Sequence, residues 1–356
     1  MFPNSIPMSS RLIFIFAALC LTFAAIPSRM SAQVSPSGTS PSANSGKIDT
    51  IPPKTVVETP FTFQSGTLSL PGTLTLPASH TGQVPVALIV AGSGPTDRNG
   101  NSAGPLKAQN NSNLYAILAW QLANAGIASV RYDKRVLGEN LGKLDPASIT
   151  IDDFTGDVMA GARALAADRR FSKLILIGHS EGAELVLQAV NRGAPAKAIV
   201  MMSGAGRPIM AVIREQLSRQ LPPEELVKWD SASARYLRGE DPGEVLPGLR
   251  PLLLPTNLKF MQSWVKYDPT AEIAKVKVPV LIVQGGHDIQ VGDTDAHDLK
   301  AAHPAAELLL IPAANHVYRA AESDDRMAQL KLYTDPTIPV VPELAPGIVQ
   351  WINRLK

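Results

Sequence analysis

The sequence predicts an α/β fold: a mostly parallel central sheet flanked by helices, with an inserted helical cap. Short apolar runs alternate with helix-like segments from residue 84 to residue 202, as in sheets whose strands are buried on both faces. This alternation stops near Gly204 and returns at Val278. Hydrophobic residues make up 45% of the 356 residues and charged residues only 18%, so the chain has enough apolar material for a large core.

Turn residues and caps delimit the predicted elements. Two β-like segments, 56–63 and 66–76, come first and are expected to pair as antiparallel strands. We expect Asn and Ser residues to cap the helix that begins at Asn113, and Gly126 to end it. The other predicted strands are 84–91, 127–132, 173–177, 198–202, 278–284 and 307–311, and the predicted helices are 113–125, 151–167, 181–191, 294–302 and 343–355.

The interruption is interpreted as a helical cap that spans residues 207 to about 270. It contains two helix-like segments, 210–220 and 223–237, many prolines and no convincing strand. The cap is therefore expected to be an insertion within one α/β domain of residues 55–356.

The first 32 residues have the pattern of a secretory signal peptide. Arg11 provides a positive charge, residues 12–26 form an uncharged apolar run, and the small residues Ser31 and Ala32 follow. The run is shorter than the ~20 residues of a membrane-spanning helix. An uncleaved anchor stays open, because Met30 is unfavourable for cleavage after Ala32. We expect an exported protein, periplasmic or secreted, without a stable membrane span after signal removal.

Residues 33–54 are rich in Ser, Pro, Gly and Thr and are predicted to be a disordered linker. The 33 basic and 31 acidic residues give a net charge of +2, which argues against nucleic acid as a main partner. Cys20, within the predicted signal peptide, is the single cysteine. It excludes disulfides within the chain and a cysteine zinc site.

The clearest chemical motif is the Gly-x-Ser-x-Gly of residues 178–182. An apolar strand precedes it and a helix follows it. In this context the serine lies on a sharp turn with its hydroxyl exposed above the sheet, and flanking glycines avoid side-chain clashes. Ser180 is therefore the predicted nucleophile. The backbone N–H of Glu181, at the start of the following helix, is a predicted oxyanion donor.

A serine nucleophile requires a base, and His316 is the predicted one. It follows the last predicted strand on a loop, where it can reach over Ser180. His179 lies inside the turn and cannot point back at its neighbour. The remaining histidines are less suitably placed: His80, His287, His297 and His303.

The predicted orienting acid is Asp288, which follows the strand between the serine and the histidine. Asp293 and Asp295 are competitors, but they are more typical of negative charges at the start of the next helix. The second predicted oxyanion donor is the N–H of Ser93. It lies in the Gly92-Ser93-Gly94 loop, where small residues permit close approach to a substrate carbonyl.

Two other interpretations of these segments are less favourable. The glycines at 92 and 94 do not form a dinucleotide-binding motif, because Asp97 occupies the place of the third glycine. The cluster of His and Asp residues between 287 and 298 matches no zinc or calcium spacing, and a solvated turn followed by a helix explains it. We therefore predict neither a metal nor a cofactor.

From about Thr55 onward, the sequence resembles the α/β-hydrolase superfamily, and within it a group of bacterial serine esterases. The order Ser180, Asp288, His316 is the nucleophile–acid–base order of that fold. Two departures occur: Asn99 replaces an acidic residue and Val136 replaces a glycine. The matching segments are GSGPTDRNG at 92–100, close to GSGPxDRDG, RYDKR at 131–135, similar to RYDKRGxG, and the segments 267–269, 279–282 and 333–339.

The resemblance implies hydrolysis of carboxylic esters, usually with short acyl chains. We expect an exported serine carboxylesterase that acts through an acyl-enzyme on a small acyl ester. The same groups can cleave amides, so a serine peptidase or acylaminoacyl hydrolase is the first alternative. A catalytically silent binding protein of the same fold is the second.

Overall fold

The computed structural model describes residues 53–103 and 109–356. The predicted signal peptide and nearly all of the predicted linker lie outside these residues. Within the described ranges, no helix has both the length and the apolar character needed to cross a membrane.

The described residues form an eight-stranded sheet in the order β1-β2-β4-β3-β5-β6-β7-β8. Strands β3 to β8 pair in parallel, whereas β1 and β2 form an antiparallel pair that joins the sheet through β4. The predicted architecture is therefore confirmed. The strands are β1 Val56–Ser65, β2 Leu68–Pro77, β3 Val84–Val90, β4 Ala128–Tyr132, β5 Phe171–His179, β6 Ala198–Met202, β7 Val280–Gly285 and β8 Glu307–Ile311.

Ten α-helices accompany these strands in the described part of the chain. Short 3-10 helices lie at Gly138–Lys143, Pro146–Ser148, Pro247–Leu253 and Pro255–Asn257. The α-helices are α1 Leu114–Asn124, α2 Ile151–Ala166, α3 Glu181–Asn191, α4 Ile209–Ser218, α5 Pro223–Leu237, α6 Leu258–Trp264, α7 Pro269–Ile273, α8 Asp293–Ala302, α9 Arg326–Thr334 and α10 Leu344–Arg354.

Alternate residues of the central strands face opposite sides of the sheet, and helices cover both sides. Leu88 and Leu176 belong to the core under α2, α3 and the cap helices. Their neighbours Ile89 and Ile177 belong to the core under α1 and α10. Burial on both faces explains why these strands are continuous apolar runs.

Helices α4 to α7 lie between β6 and β7, where the sequence predicts the cap. The two predicted cap helices correspond to α4 and α5. The cap packs on the α/β core through aromatic side chains, with the rings of Phe154 on α2 and Phe260 on α6 meeting edge to face at 5.7 Å. The cap also reaches Ser180 at the end of β5, because Ile209 and Trp264 line a cleft together with that serine.

Three local features differ from the prediction. The sequence patterns did not indicate α6, α7 or α9, which are all nine residues or shorter. The expected side-chain cap of α1 is also wrong. Asn113 adopts a left-handed conformation (φ 52°) without capping the helix, and its side-chain oxygen accepts a hydrogen bond from Asn101 Nδ2 at 2.8 Å.

Candidate active site

Ser180 lies at the turn between β5 and α3 in a strained conformation, with φ 56° and ψ −122°. A Cβ on Gly178 would lie 2.0 Å from the carbonyl oxygen of Gly182, and one on Gly182 would lie 2.3 Å from that of Val90. Neither position tolerates a side chain. A strained non-glycine residue at such a turn is typical of a functional site, since the surrounding structure must maintain the strain.

His316 and Asp288 meet after β8 and β7, at the same edge of the sheet as Ser180. His316 Nδ1 lies 2.7 Å from Asp288 Oδ2. The other oxygen, Oδ1, accepts backbone hydrogen bonds from Gln290 and Val291 at 2.8 and 2.9 Å. Because a carboxylate only accepts, Nδ1 of His316 carries a proton. In the neutral ring the lone pair is therefore on Nε2.

The environment of Asp288 favours its charged form. Burial by itself raises the pKa of this carboxyl. The charge and hydrogen bond of His316, together with the two backbone N–H groups, outweigh burial and leave the pKa below its usual range. Asp288 is thus a fixed negative charge behind the imidazole at neutral pH.

Two clefts meet at Ser180. The first cleft has an empty volume of about 540 Å³, and His316 and Tyr115 contribute to its lining. The second cleft, of about 560 Å³, extends under the cap and is lined by Glu184, Arg207 and Trp264 among others. Both clefts share Ser93, Ser180 and Gln290.

The two predicted oxyanion donors flank the serine. Ser93 lies in the loop after β3 and lines both clefts. Glu181 is the first residue of α3, so its N–H has no acceptor within the helix. A Cβ on Gly92 would come within 3.1 Å of Ser180 Cβ, which shows how closely the loop approaches the serine. The structure thus brings together all five predicted site residues: Ser93, Ser180, Glu181, Asp288 and His316.

A chain of buried hydrogen bonds that the sequence analysis missed connects three parts of this site. The N–H of Gly92 donates to Tyr115 Oη at 3.0 Å, and Tyr115 Oη lies 2.8 Å from His179 Nδ1. His179 Nε2 lies 2.9 Å from the carbonyl oxygen of His316. That carbonyl only accepts, so Nε2 carries the proton and Tyr115 donates to Nδ1.

This network requires a neutral His179. Burial, followed by the nearby His316, lowers the pKa of His179 to about 3. The ring therefore cannot act as a base near neutral pH. It holds the backbone of His316 in place, while Tyr115 occupies the N–H of Gly92 and leaves the N–H of Ser93 as the donor candidate in that loop.

A buried ion pair supports the oxyanion side of the site. Lys134 Nζ lies 2.7 Å from Glu181 Oε1 and 2.9 Å from the carbonyl oxygen of Gly92. Both side chains are almost inaccessible, and the ammonium also faces the ring of Phe154 at 4.7 Å. Lys134 thereby joins the loop after β3 to the start of α3. Lys134 belongs to the RYDKR segment at 131–135, but the sequence did not indicate this contact.

The competing acid and base residues lie elsewhere. Asp295 is completely buried and accepts hydrogen bonds from the N–H of Gly206 and from Arg207, so it anchors the cap. The sequence predicts Asp295 only as a negative charge at the start of a helix. Asp295 does lie in the first turn of α8, and it also binds residues at the entry to the cap. His287 is paired with Asp324 at the surface. Among the described residues, no group of three or more His, Cys, Asp or Glu side chains could hold a metal ion.

The fold and this arrangement define the class of protein. Residues 106–330 match the model of the alpha/beta hydrolase family, and this match covers more than half of the chain. The chain therefore belongs to the alpha/beta hydrolase family.

A curated relative gives a more specific comparison. Esterase EstD of Thermotoga maritima is 28% identical over 227 residues, which are 64% of this chain and 52% of that protein. The chain thus spans about half the length of this relative.

Solved structures from two further organisms share this fold. Est1E of Butyrivibrio proteoclasticus with ferulic acid bound has a TM-score of 0.53 and 16% identity, covering 83% of this chain and 98% of that one. A proline iminopeptidase of Mycobacterium smegmatis has a TM-score of 0.53 and 14% identity, with coverage of 83% and 98%. At these identities the likeness shows the fold alone.

Proposed function

We propose that this protein is a serine carboxylesterase that hydrolyses small, short-chain acyl esters. The observation that carries the proposal is the 2.7 Å contact between His316 Nδ1 and the buried Asp288, because His316 lines the same cleft as the strained Ser180. Likeness to an esterase supports the ester bond as the target. Both clefts reach Ser180, so a small ester can approach the hydroxyl from either one.

The proposed reaction proceeds in two steps. Ser180 Oγ attacks the acyl carbonyl while His316 Nε2 takes its proton, and the N–H groups of Ser93 and Glu181 stabilise the oxyanion. Collapse releases the alcohol, which takes the proton from His316, and leaves an acyl-serine. Water then attacks the acyl group through the same base, so that a carboxylic acid and free Ser180 are produced. Asp288 holds the required tautomer of His316 throughout.

Substitution of the proposed nucleophile and base tests this mechanism. Ser180→Ala and His316→Ala should each lower kcat on p-nitrophenyl acetate by about 10³-fold or more, because both act as one unit. Ser218→Ala, at an exposed position on α4, and His287→Ala, outside both clefts, are the matched controls and should retain activity. Full activity in Ser180→Ala would refute the mechanism.

The bond preference requires a separate comparison. We expect higher kcat/KM on p-nitrophenyl acetate than on p-nitroacetanilide, and a fall in rate as the acyl chain grows from acetyl to palmitoyl. Faster cleavage of the anilide would favour the peptidase alternative. If a folded protein cleaves neither substrate and a fluorophosphonate does not label Ser180, the silent binding protein becomes the better description.

We also propose that the protein is exported after removal of residues 1–32. The pattern of a charge, an apolar run and small residues supports this proposal. The N-terminal sequence of protein recovered from the periplasm or medium should begin near Gln33. Recovery of the full chain in the membrane fraction would favour the uncleaved anchor.

A further inference from the structure

Glu184 is a buried acid in the second cleft that the proposed reaction does not use. It lies four residues after Ser180, about one turn further along α3. Residues at this spacing occupy the same helix face, so the carboxyl faces the cleft near the serine. Only 8% of the residue is exposed, yet it lines the cleft together with Ser180, Arg207 and Trp264.

The partners of Glu184 are two neutral N–H donors. Trp264 Nε1 donates to Oε2 at 2.7 Å, and Gln188 Nε2 donates to Oε1 at 3.0 Å. The Gln188 oxygen accepts from Thr155 Oγ1 at 2.9 Å, which orients its amide nitrogen towards Glu184. Among the described residues, no Lys, Arg or His forms an ion pair with Glu184. A buried carboxylate without a countercharge is costly.

The nearby cations are already paired with other acids. Arg207, in the same cleft, contacts both Asp295 and Glu215. Lys134 is paired with Glu181. The charges that act on Glu184 come from Glu181 and Glu272, and both are negative. Within the described ranges, the cations named here are therefore engaged by other acids, and none compensates the charge of Glu184.

This environment disfavours the ionised form of Glu184. Burial raises the pKa of its carboxyl, the hydrogen bonds of Trp264 and Gln188 lower it by less, and the charges of Glu181 and Glu272 add to the rise, so that the pKa is about 8. A cation bound in the cleft would reverse this balance, because it would supply the missing countercharge.

We propose that Glu184 is a specificity-determining residue that pairs with an ammonium group of the substrate, so that the second cleft receives the cationic part of an amine-bearing ester. The inference rests on the proposed function, since it takes Ser180 as the reacting group. It goes beyond ester hydrolysis by naming a substrate class. The acyl or the alcohol part can carry the amine, and the test includes both.

The variant Glu184→Gln separates charge from shape. Glutamine keeps the size and the hydrogen-bonding capacity of a neutral acid but cannot supply a negative charge. The amide of Gln188 can rotate to accept from the new side-chain amide and to donate to the Thr155 hydroxyl. It then gives up the 3.3 Å hydrogen bond from Arg192, which keeps Asp152 and Tyr267 as partners, so we expect a folded protein. Glu225→Gln, on cap helix α5 and paired with Lys228, removes a charge away from the cleft and is the matched control.

The kinetic test compares cationic esters with neutral isosteres. On the alcohol side the pair is dimethylaminoethyl acetate and isoamyl acetate, and on the acyl side it is the p-nitrophenyl esters of N,N-dimethylglycine and isovalerate. At neutral pH, Glu184→Gln should reduce the cation-to-isostere ratio of kcat/KM by about tenfold or more for at least one pair. Glu225→Gln should leave both ratios unchanged. Equal ratios in wild type and Glu184→Gln would overturn the proposal.

A binding measurement distinguishes failure of this inference from failure of the proposed function. Dimethylaminoethyl acetate and isoamyl acetate are titrated calorimetrically into Ser180→Ala and into Ser180→Ala combined with Glu184→Gln. Tighter binding of the cation only when Glu184 is present supports the ammonium site, even if the wild-type protein hydrolyses neither ester. Equal affinities in the two proteins reject the site whatever the catalytic activity.

Discussion

At the scale of single residues, Tyr115 and His179 determine whether the site is assembled correctly. Together they connect the loop of Gly92, the turn of Ser180 and the loop of His316. Tyr115 and His179 are positioning residues, because they act through the backbone of other groups. Their contribution should therefore be visible both in stability and in turnover.

Tyr115→Phe removes one hydroxyl and leaves two buried groups, Gly92 N–H and His179 Nδ1, without their partner. The unfolding free energy should fall by about 1–3 kcal/mol, and kcat should fall more than KM rises, because alignment is lost. Urea unfolding and steady-state kinetics measure the two effects.

The matched control is Tyr236→Phe. Tyr236 donates to the carbonyl oxygen of Leu254 within the cap, so its loss should change stability without changing kcat. If both variants retain the wild-type kcat, the network has a structural role only.

At the scale of elements, the cap is tied to the α/β core by charge as well as by aromatic packing. Asp295 on α8 holds Arg207 and the N–H of Gly206 at the point where the chain enters the cap. The Cβ position of Gly206 lies 2.4 Å from the carbonyl oxygen of Asp295, so only glycine permits this approach. The second cleft is lined partly by α4 and depends on this connection.

Asp295→Asn should weaken that connection. The amide can still accept from Gly206, but it loses the charge that compensates Arg207. We expect the unfolding free energy to fall by about 1–3 kcal/mol, a loss that is limited because Arg207 is partly exposed. We also expect a raised KM, because the second cleft depends on this connection.

Asp230→Asn is the matched control. It removes an exposed pair with Arg214 and should change stability by no more than about 0.5 kcal/mol. Similar small effects in both variants would show that aromatic packing alone holds the cap.

At the scale of the whole molecule, two buried groups make stability depend on pH in opposite directions. His179 is neutral in the folded protein with a pKa of about 3, below its ordinary 6.5, so stability is lost as the pH falls below that ordinary value. Glu184 has a raised pKa of about 8 against an ordinary 4.5, so its contribution is present below 4.5 and is lost progressively as the pH rises from 4.5 to 8. The two opposing effects overlap between pH 4.5 and 6.5, and the contribution of these two groups to stability should be greatest there.

Glu184→Gln should remove the loss on the alkaline side. Between pH 4.5 and pH 8, the Glu184 carboxyl is protonated in the folded wild-type protein but ionised in the unfolded chain. The unfolding free energy of the wild type therefore declines over this range by at most about 1.4 kcal/mol per pH unit. Relative to wild type, the variant should gain stability from pH 5 to pH 8 in urea unfolding. The Glu225→Gln control should run parallel to wild type, and a parallel curve for Glu184→Gln as well would contradict the pKa argument.

Much of this molecule follows from local pattern. Apolar runs and their turn residues predict the alternation of strands and helices, and β6, β8 and α3 have the predicted bounds. The clash distances at Gly178 and Gly182 show why the Gly-x-Ser-x-Gly motif carries so much information: its glycines are required by backbone contacts. Short elements such as α7 escaped prediction because five residues show no helical periodicity.

The sequence by itself determined the architecture, the turn at Ser180 and the chain order of the nucleophile, acid and base candidates. Only the tertiary structure decided that Asp295 anchors the cap, that Tyr115 fixes His179 and that Glu184 lacks a countercharge. The physical reason is separation along the chain. Tyr115 and His179 are 64 positions apart, and Trp264 and Glu184 are 80 apart. Local periodicity contains no information about such pairs, because folding alone brings them together and excludes water from between them.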